Sequence, residues 1–324
     1  MEIKFNNVDY IYNKNLSIKN KVIDNINVSF KEGEITSIIG RSGSGKTTMA
    51  ELMNALIFPS NGTIEIGSYL LNSKGIKNNK KINNLRVNVG LVFQFPEEQF
   101  FNMTVKDEIS FGMKYFNYKT KDIDKRVSDA LKMVGLDDDY LGRNPFTLSN
   151  GEKRKVAIAS IIAFNPKVII LDEPTIGLDS SSKKNLLQLI RKLKQRLNKT
   201  IVLISHDIEL VHQVSDYVIV LDNGNVIAEG DKYTVFKQEE MLKEYGIVVP
   251  KIIEFSNKVL DKKGIKIGYR DEINDLIKDI YRYVKWYCNW KLLSSKIKSS
   301  FHESCIKSLM YNLIYNNDLF MSRY

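Results

Sequence analysis

The sequence holds no run of apolar residues near the roughly 18–20 that a bilayer-spanning helix needs, so the chain is not expected to cross a membrane by itself. Cysteine is scarce: Cys288 and Cys305 are the only two, too few for a disulfide framework, and a reducing cytosol is the expected compartment. The first residues, Met1-Glu2-Ile3-Lys4-Phe5, contain no apolar stretch of the kind a signal peptide requires. No internal repeat of solenoid length is present, and no heptad pattern is sustained. Against these absences stand 43% hydrophobic and 27% charged residues, enough for a sizeable core and contrary to wholesale disorder. A length of 324 residues predicts one large domain with an appendage, or two domains.

The net charge is +10, a balance compatible with nucleic acid, an anionic membrane surface or acidic ligands. Its distribution is uneven, because residues 241–324 carry 15 basic and 9 acidic side chains. Asn, Lys and Ile are used heavily throughout, the pattern of AT-rich coding, so part of the basic excess is compositional.

Residues 1–66 read mainly as strands. Val22–Phe30 alternates apolar and polar as far as Val28, and Glu34–Ile39 leads into a glycine-rich turn. Lys46–Leu56 then reads as a helix. Asn72–Asn84, dense in Asn and Lys, is expected to be an exposed loop. Further strands are expected at Val87–Phe93, Thr200–Ser205 and Tyr217–Leu221, and helices at Thr104–Tyr115, Asp122–Val134, Ser149–Phe164 and Ser180–Leu197. Val168-Ile169-Ile170-Leu171 is an unbroken apolar run ended by acids, as in a strand covered on both faces. Asp222-Asn223-Gly224-Asn225 is a hairpin signal. Strands alternating with helices over residues 30–222 predict a parallel α/β sheet.

Three motifs carry chemistry. Gly40-Arg41-Ser42-Gly43-Ser44-Gly45-Lys46-Thr47 is G-x-x-x-x-G-K-[ST], after a strand and opening a helix. Its backbone N–H groups and the helix dipole suit phosphate oxygens. Lys46 supplies a point charge for the terminal phosphates, and Thr47 a hydroxyl for Mg2+. Val168–Leu171 ends in Asp172-Glu173-Pro174, two carboxylates at the C-terminal end of a buried strand, where α/β sheets place ligands. Asp172 is suited to holding Mg2+ and Glu173 to polarising an attacking water. In Leu148-Ser149-Asn150-Gly151-Glu152, Ser149 and Glu152 form a capping box, and the helix N-terminus is a second candidate phosphate site, for a different subunit.

Together these residues resemble the nucleotide-binding subunit of ATP-binding cassette (ABC) transporters, over about residues 1–245. Gly40–Thr47 matches the Walker A loop, Val168–Glu173 the Walker B strand, and Leu148–Glu152 the LSGGQ signature. Gln94 matches the Q-loop glutamine, Gly177-Leu178-Asp179 the D-loop, and His206 the switch histidine. The resemblance implies a P-loop cassette: a RecA-like parallel sheet, an antiparallel β-subdomain and a helical subdomain at about residues 95–165, followed by a helical C-terminal region over residues 246–324. It implies two ATPase subunits packed head to tail, with ATP between one Walker A loop and the other's signature residues Ser149, Asn150, Gly151 and Glu152. The implied ATP-binding set is Gly40–Thr47, Thr48, and an aromatic for adenine, Tyr12 or alternatively Tyr10. Mg2+ falls to Thr47, Gln94 and Asp172. Catalysis falls to Glu173 as general base, with His206 and Gln94. The signature departs from the family at two positions, Asn150 for glycine and Glu152 for glutamine. The acid is expected to weaken the partner's ATP site by like-charge repulsion and so to make the two sites of a dimer unequal.

Gln94-Phe95-Pro96-Glu97-Glu98-Gln99-Phe100-Phe101, with Thr104-Val105 and Phe111-Gly112, is similar to the ATPases of energy-coupling factor (ECF) transporters, importers of vitamins and transition-metal ions. Phe95-Pro96-Glu97 looks like the second of that family's two ATPase types. The resemblance implies a second, non-identical ATPase, a transmembrane coupling subunit and a substrate-capture membrane subunit as partners, with the chain peripheral at the cytoplasmic face of the cell membrane and no nucleic acid bound. At least one of Phe100 and Phe101 is expected to fill the helical subdomain's core. Alternatives are a cassette for another ABC importer or exporter, or a soluble ABC ATPase acting on nucleic acid or ribosomes. Family-like sequence runs to about Gly264, and residues 265–324 are unassigned. Within them Ile273, Leu276, Ile277, Ile280, Val284 and Tyr287 share one helical face. The readings for this extension are a small helical cap on the ATPase, a dimerisation helix, a poorly packed extension, or a lipid-facing helix bearing Arg282, Lys285, Trp286, Trp290 and Lys291.

Overall fold

A computed structural model describes residues 1–13, 20–116, 122–263, 268, 270–271 and 274–283. The described residues fall into two units, Met1–Val235 with Lys243–Ile247, and Phe236–Leu242 with the residues from Val248 on. In the first unit, β1 (Ile3–Tyr12) pairs antiparallel with β2 (Asn20–Phe30) and β4 (Asn61–Ile66), and β5 (Tyr69–Leu71) adds to β4. β2 buries Ile23, Ile26, Val28 and Phe30. The step of three from Ile23 to Ile26 departs from the expected strict alternation. A bulge causes it: Asn25 sits at φ 49°, and the pairing with β1 slips between Val8 and Tyr10. Asn tolerates the left-handed region better than most residues, so the extra residue is accommodated there.

The second sheet has the order β10-β9-β3-β8-β7-β6, with β3 (Ile35–Gly40), β6 (Val89–Val92), β7 (Val168–Asp172), β8 (Thr200–Ile204), β9 (Tyr217–Asp222) and β10 (Asn225–Asp231). β9 and β10 form the expected hairpin, its turn made by Asn223 at φ 45° and Gly224 at φ 79°. All other neighbours are parallel. Every residue of β6, β7 and β8 is buried. Their apolar runs are therefore continuous rather than alternating, because both faces are covered.

α1 (Lys46–Met53) follows β3, α6 (Ser180–Leu197) joins β7 to β8, and α7 (Ile208–Val214) joins β8 to β9. α3 (Val105–Tyr115), α4 (Ile123–Met133) and α5 (Asn150–Ile162) pack on one another between β6 and β7. These are the parallel core sheet, antiparallel β-subdomain and helical subdomain that the sequence resemblance implies. The expected loop Asn72–Asn84 needs correction, since its second half enters α2 (Asn79–Asn88). The Asn78 side chain accepts from Lys80 N and Lys81 N, capping the helix, and Leu85 is its one buried residue. A helix resting on a single apolar side chain leaves no periodicity to read. Because α2 runs to Asn88, β6 begins two residues later than expected.

α8 (Lys232–Phe236) and α9 (Glu239–Glu244) follow β10. In the second unit, α10 (Lys251–Lys263) buries Ile253, Phe255, Ser256 and Val259, and Asn257 donates to Glu239 Oε2 at 2.8 Å. Residues 274–283 are helical and bury Leu276 and Ile280, four apart on one face, whereas Ile277 is exposed. The apolar stripe is thus narrower there than expected. Ile273, Val284, Lys285, Trp286, Tyr287, Trp290, Lys291 and both cysteines lie outside the described residues. Among the described residues no helix is long and apolar enough to cross a membrane.

Candidate nucleotide site

Four neighbouring parallel strands end on the same side. β3 delivers Gly40, β7 delivers Asp172, β8 leads to Ser205 and His206, and β6 leads to Gln94. A cavity of about 500 Å3 opens there, lined by Tyr12, Asn20, Val22, Gly40, Ser42, Gly43, Gly45, Lys46, Thr47, Thr48, Gln94, Asp172, Glu173, Ile176 and His206. This is the C-terminal edge at which parallel α/β sheets bind ligands.

The phosphate loop wraps around its own lysine. Lys46 Nζ donates to Gly40 O at 2.8 Å and Arg41 O at 2.7 Å, and lies 3.4 Å from Ser44 Oγ. Burial holds Lys46 below the ordinary lysine range, opposed by the charges of Glu173 and Asp172. Gly40 has φ 149°, and a Cβ there would come within 2.1 Å of Leu221 O, so β9 passes too close for any side chain. Arg41 turns its side chain out of the cavity: Nε donates to Tyr245 O at 2.6 Å and Nη2 to Glu244 O at 2.8 Å. Its part in the loop is its backbone. Ser44 is buried beneath the loop.

Thr47 donates its hydroxyl to Asp172 Oδ2 at 2.8 Å. Asp172 is 2% exposed, and burial pushes its carboxyl above the usual range. Its second oxygen, Oδ1, is buried without a hydrogen-bond partner. An orphaned carboxylate oxygen beside a threonine hydroxyl is a donor set that fits a hard divalent cation of the Mg2+ type.

Glu173 has φ 49°, a strained backbone for a residue with a Cβ. It is held by Glu173 N donating to Ile204 O at 2.8 Å and by His206 N donating to its Oε2 at 3.2 Å. His206 Nδ1 lies 2.7 Å from the same Oε2. Tyr12 places its hydroxyl 3.4 Å from Thr48 Oγ1 and donates to Glu51 Oε2 at 3.2 Å. Tyr10 packs edge-on against the Tyr12 ring at 4.7 Å and does not line the cavity.

The signature residues stand apart: none of Ser149, Asn150, Gly151 and Glu152 lines the cavity. They form the N-terminus of α5, where Ser149 and Glu152 make the expected capping box, and Gly151 lies against Ser182 of α6. Asp179 caps α6 by accepting from Ser182 N at 2.9 Å, and the Ser182 side chain, then this backbone bond, lower its carboxyl.

Sequence reasoning missed Glu51, Asn20 and Ile176, whose places follow only from the fold. It also missed Arg154, which is 3% exposed and bonded to Glu97, and Tyr140, which donates to Glu152. Of the two phenylalanines after the Q-loop, Phe100 is buried, while Phe101 is 57% exposed and packs edge-on against exposed Phe111 at 4.5 Å.

A phosphate loop closing β3, paired acids closing β7 and a histidine after β8 define an ATPase of the ABC class. The comparisons agree. Residues 23–176 match the family model described as ABC transporter. The energy-coupling factor transporter ATP-binding protein EcfA2 of Enterococcus faecalis is 38% identical over 81% of this chain and 90% of its own length. The protein of the same name from Clostridium acetobutylicum is 38% identical over 81% and 91%. Among solved structures, cbiO1 from Clostridium perfringens, part of the ABC transporter complex cbiONQ, is 33% identical, with a TM-score of 0.64 over 79% of this chain and 98% of its own. The ADP- and Pi-bound dimer of the cassette MJ0796 is 30% identical, with a TM-score of 0.64 over 71% and 98%. The chain belongs to the energy-coupling factor transporter ATP-binding protein family.

Proposed function

We propose that this ATPase is the ATP-hydrolysing subunit of an ECF-type importer, coupling ATP binding and hydrolysis to uptake of a vitamin or transition-metal ion. The observation that carries the reading is the meeting of Lys46, Thr47 and Asp172 with Glu173 and His206 around one cavity at the strand ends. Phosphoryl transfer to water needs positioning and charge neutralisation more than covalent chemistry. The Gly40–Thr47 backbone and Lys46 hold the phosphates. Thr47 and Asp172, with Gln94 in the cavity lining, would hold Mg2+, which when bound would neutralise charge developing on the phosphate oxygens. Glu173 orients the attacking water and takes its proton, and His206 steadies the Glu173 carboxylate while reaching the γ-phosphate. The Tyr12 ring receives adenine.

Ser149, Asn150, Gly151 and Glu152 lie outside this cavity, which supports their serving the ATP of a second, non-identical ATPase in a head-to-tail dimer, with Asp179 at the contact. The remaining partners are a transmembrane coupling subunit and a substrate-capture membrane subunit, and the chain is peripheral at the cytoplasmic face of the membrane. The exposed aromatics Phe101, Phe111 and Tyr115, with exposed Glu98 in the turn Pro96–Gln99, support docking of a basic amphipathic helix of the coupling subunit. ATP turnover measured with DNA, with RNA and with co-purified membrane partners tests the proposal. Stimulation by the membrane partners is expected; stimulation by nucleic acid alone would overturn it.

A further inference from the structure

Arg154 lies in the second turn of α5, five residues after Ser149, and all three of its guanidinium nitrogens donate hydrogen bonds. Nε donates to Glu97 Oε2 at 2.9 Å and Nη2 to Glu97 Oε1 at 2.8 Å. Nη1 donates to Pro174 O at 3.1 Å and Nη2 to Ile176 O at 3.3 Å. Neither Arg154 nor Glu97 lines the nucleotide cavity, yet Arg154 bonds to Ile176, which does, and Glu97 shares a loop with Gln94, which does. Glu97 follows Gln94 by three residues, Pro174 follows Glu173 directly, and Ile176 is itself in the lining. Both loops contain a strained residue, Phe95 at φ 52° and Glu173 at φ 49°, and such conformations persist only where surrounding contacts enforce them.

We infer that Arg154 is a positioning residue for hydrolysis: from the signature helix it clamps the loop carrying Gln94 to the loop carrying Glu173. The inference rests on the roles proposed above for Gln94 and Glu173. A buried ion pair is a poor source of net stability compared with apolar residues of similar size. What the planar fork supplies is geometry, since two parallel bonds to one carboxylate and two carbonyls on a second loop fix three segments at once.

The test separates positioning from folding. Removing one charge alone strands the other in the interior, so the informative variant is Glu97→Gln with Arg154→Met, neutral on both sides. In the full chain, purified in its native assembly, this double variant is expected to keep a thermal midpoint and an ATP dissociation constant close to wild type. Its kcat is expected to fall about 10–100-fold, the scale of a 1 Å misplacement. Arg154→Lys keeps the charge but not the fork, and a kcat loss of the same order is expected. Wild-type turnover in a folded form of either variant overturns the inference. Glu173→Gln, measured alongside, distinguishes the two levels. If it is inactive while the double variant is fully active, the positioning role alone fails. If Glu173→Gln itself turns over normally, the assignment of Glu173 fails and the positioning role falls with it.

Discussion

The hydroxyl of Tyr140 donates to Glu152 Oε1 at 2.6 Å, while Ser149 holds the other carboxylate oxygen through its N at 2.9 Å and its Oγ at 2.7 Å. The Arg143 guanidinium stacks 3.9 Å over the Tyr140 ring. The Tyr140 bond, then those of Ser149, bring the Glu152 carboxyl down to about 2. A depressed carboxylate stabilises the fold above its ordinary value of 4.5 and loses that contribution as the pH falls from there toward 2. Tyr140→Phe is therefore expected to lower the thermal midpoint at pH 7, and the gap from wild type should narrow as the pH is taken below 4.5. A gap independent of pH would show that the lost contact does not depend on the carboxylate.

Glu152 stands where the resembled signature has an amide. In the proposed head-to-tail dimer its charge repels the partner's ATP, so Glu152→Gln should leave turnover unchanged or raise it, at some cost to the α5 cap. A large loss of turnover would show instead that the carboxylate is needed where it stands.

In the proposed mechanism Glu173, whose Oε2 lies 2.7 Å from His206 Nδ1, is the group that meets the attacking water. Glu173→Gln is expected to retain ATP binding and to lower kcat by about 10²–10⁴, the range for a positioned general base. Single-turnover kinetics with bound-nucleotide measurements check this. Loss of binding together with turnover would place Glu173 in nucleotide retention.

Tyr12 lines the cavity and Tyr10 does not. Tyr12→Ala is expected to raise KM for ATP about 3–10-fold with kcat nearly unchanged, the effect of one lost aromatic stack. Tyr10→Ala should leave KM close to wild type. Steady-state kinetics decide between them, and the reverse order would move the adenine contact to Tyr10.

Much of this site is local in sequence and was legible there. Gly40–Thr47 spans one strand end, one loop and one helix start, and Val168–Glu173 is an apolar run capped by acids. The hairpin at Asp222–Asn225 carries its own turn residues. What escaped is non-local or weakly patterned. Tyr12 meets Glu51, and Glu97 meets Arg154, 57 positions apart. No spacing rule links such pairs, because they meet only when distant elements pack, the end of β1 against α1 and the turn after β6 against α5. α2 escaped because it buries a single leucine, and the bulge at Asn25 because alternation read from sequence assumes an unbroken period of two.

The central proposal is that this ATPase drives import as one part of a membrane assembly, and affinity purification of the full chain from membranes followed by mass spectrometry tests it most directly. The expected result is recovery of a second, non-identical ATPase together with an integral membrane scaffold, with ATP turnover in that assembly abolished by Glu173→Gln. Recovery of the chain with neither partner, or with nucleic-acid-binding proteins in their place, would contradict it.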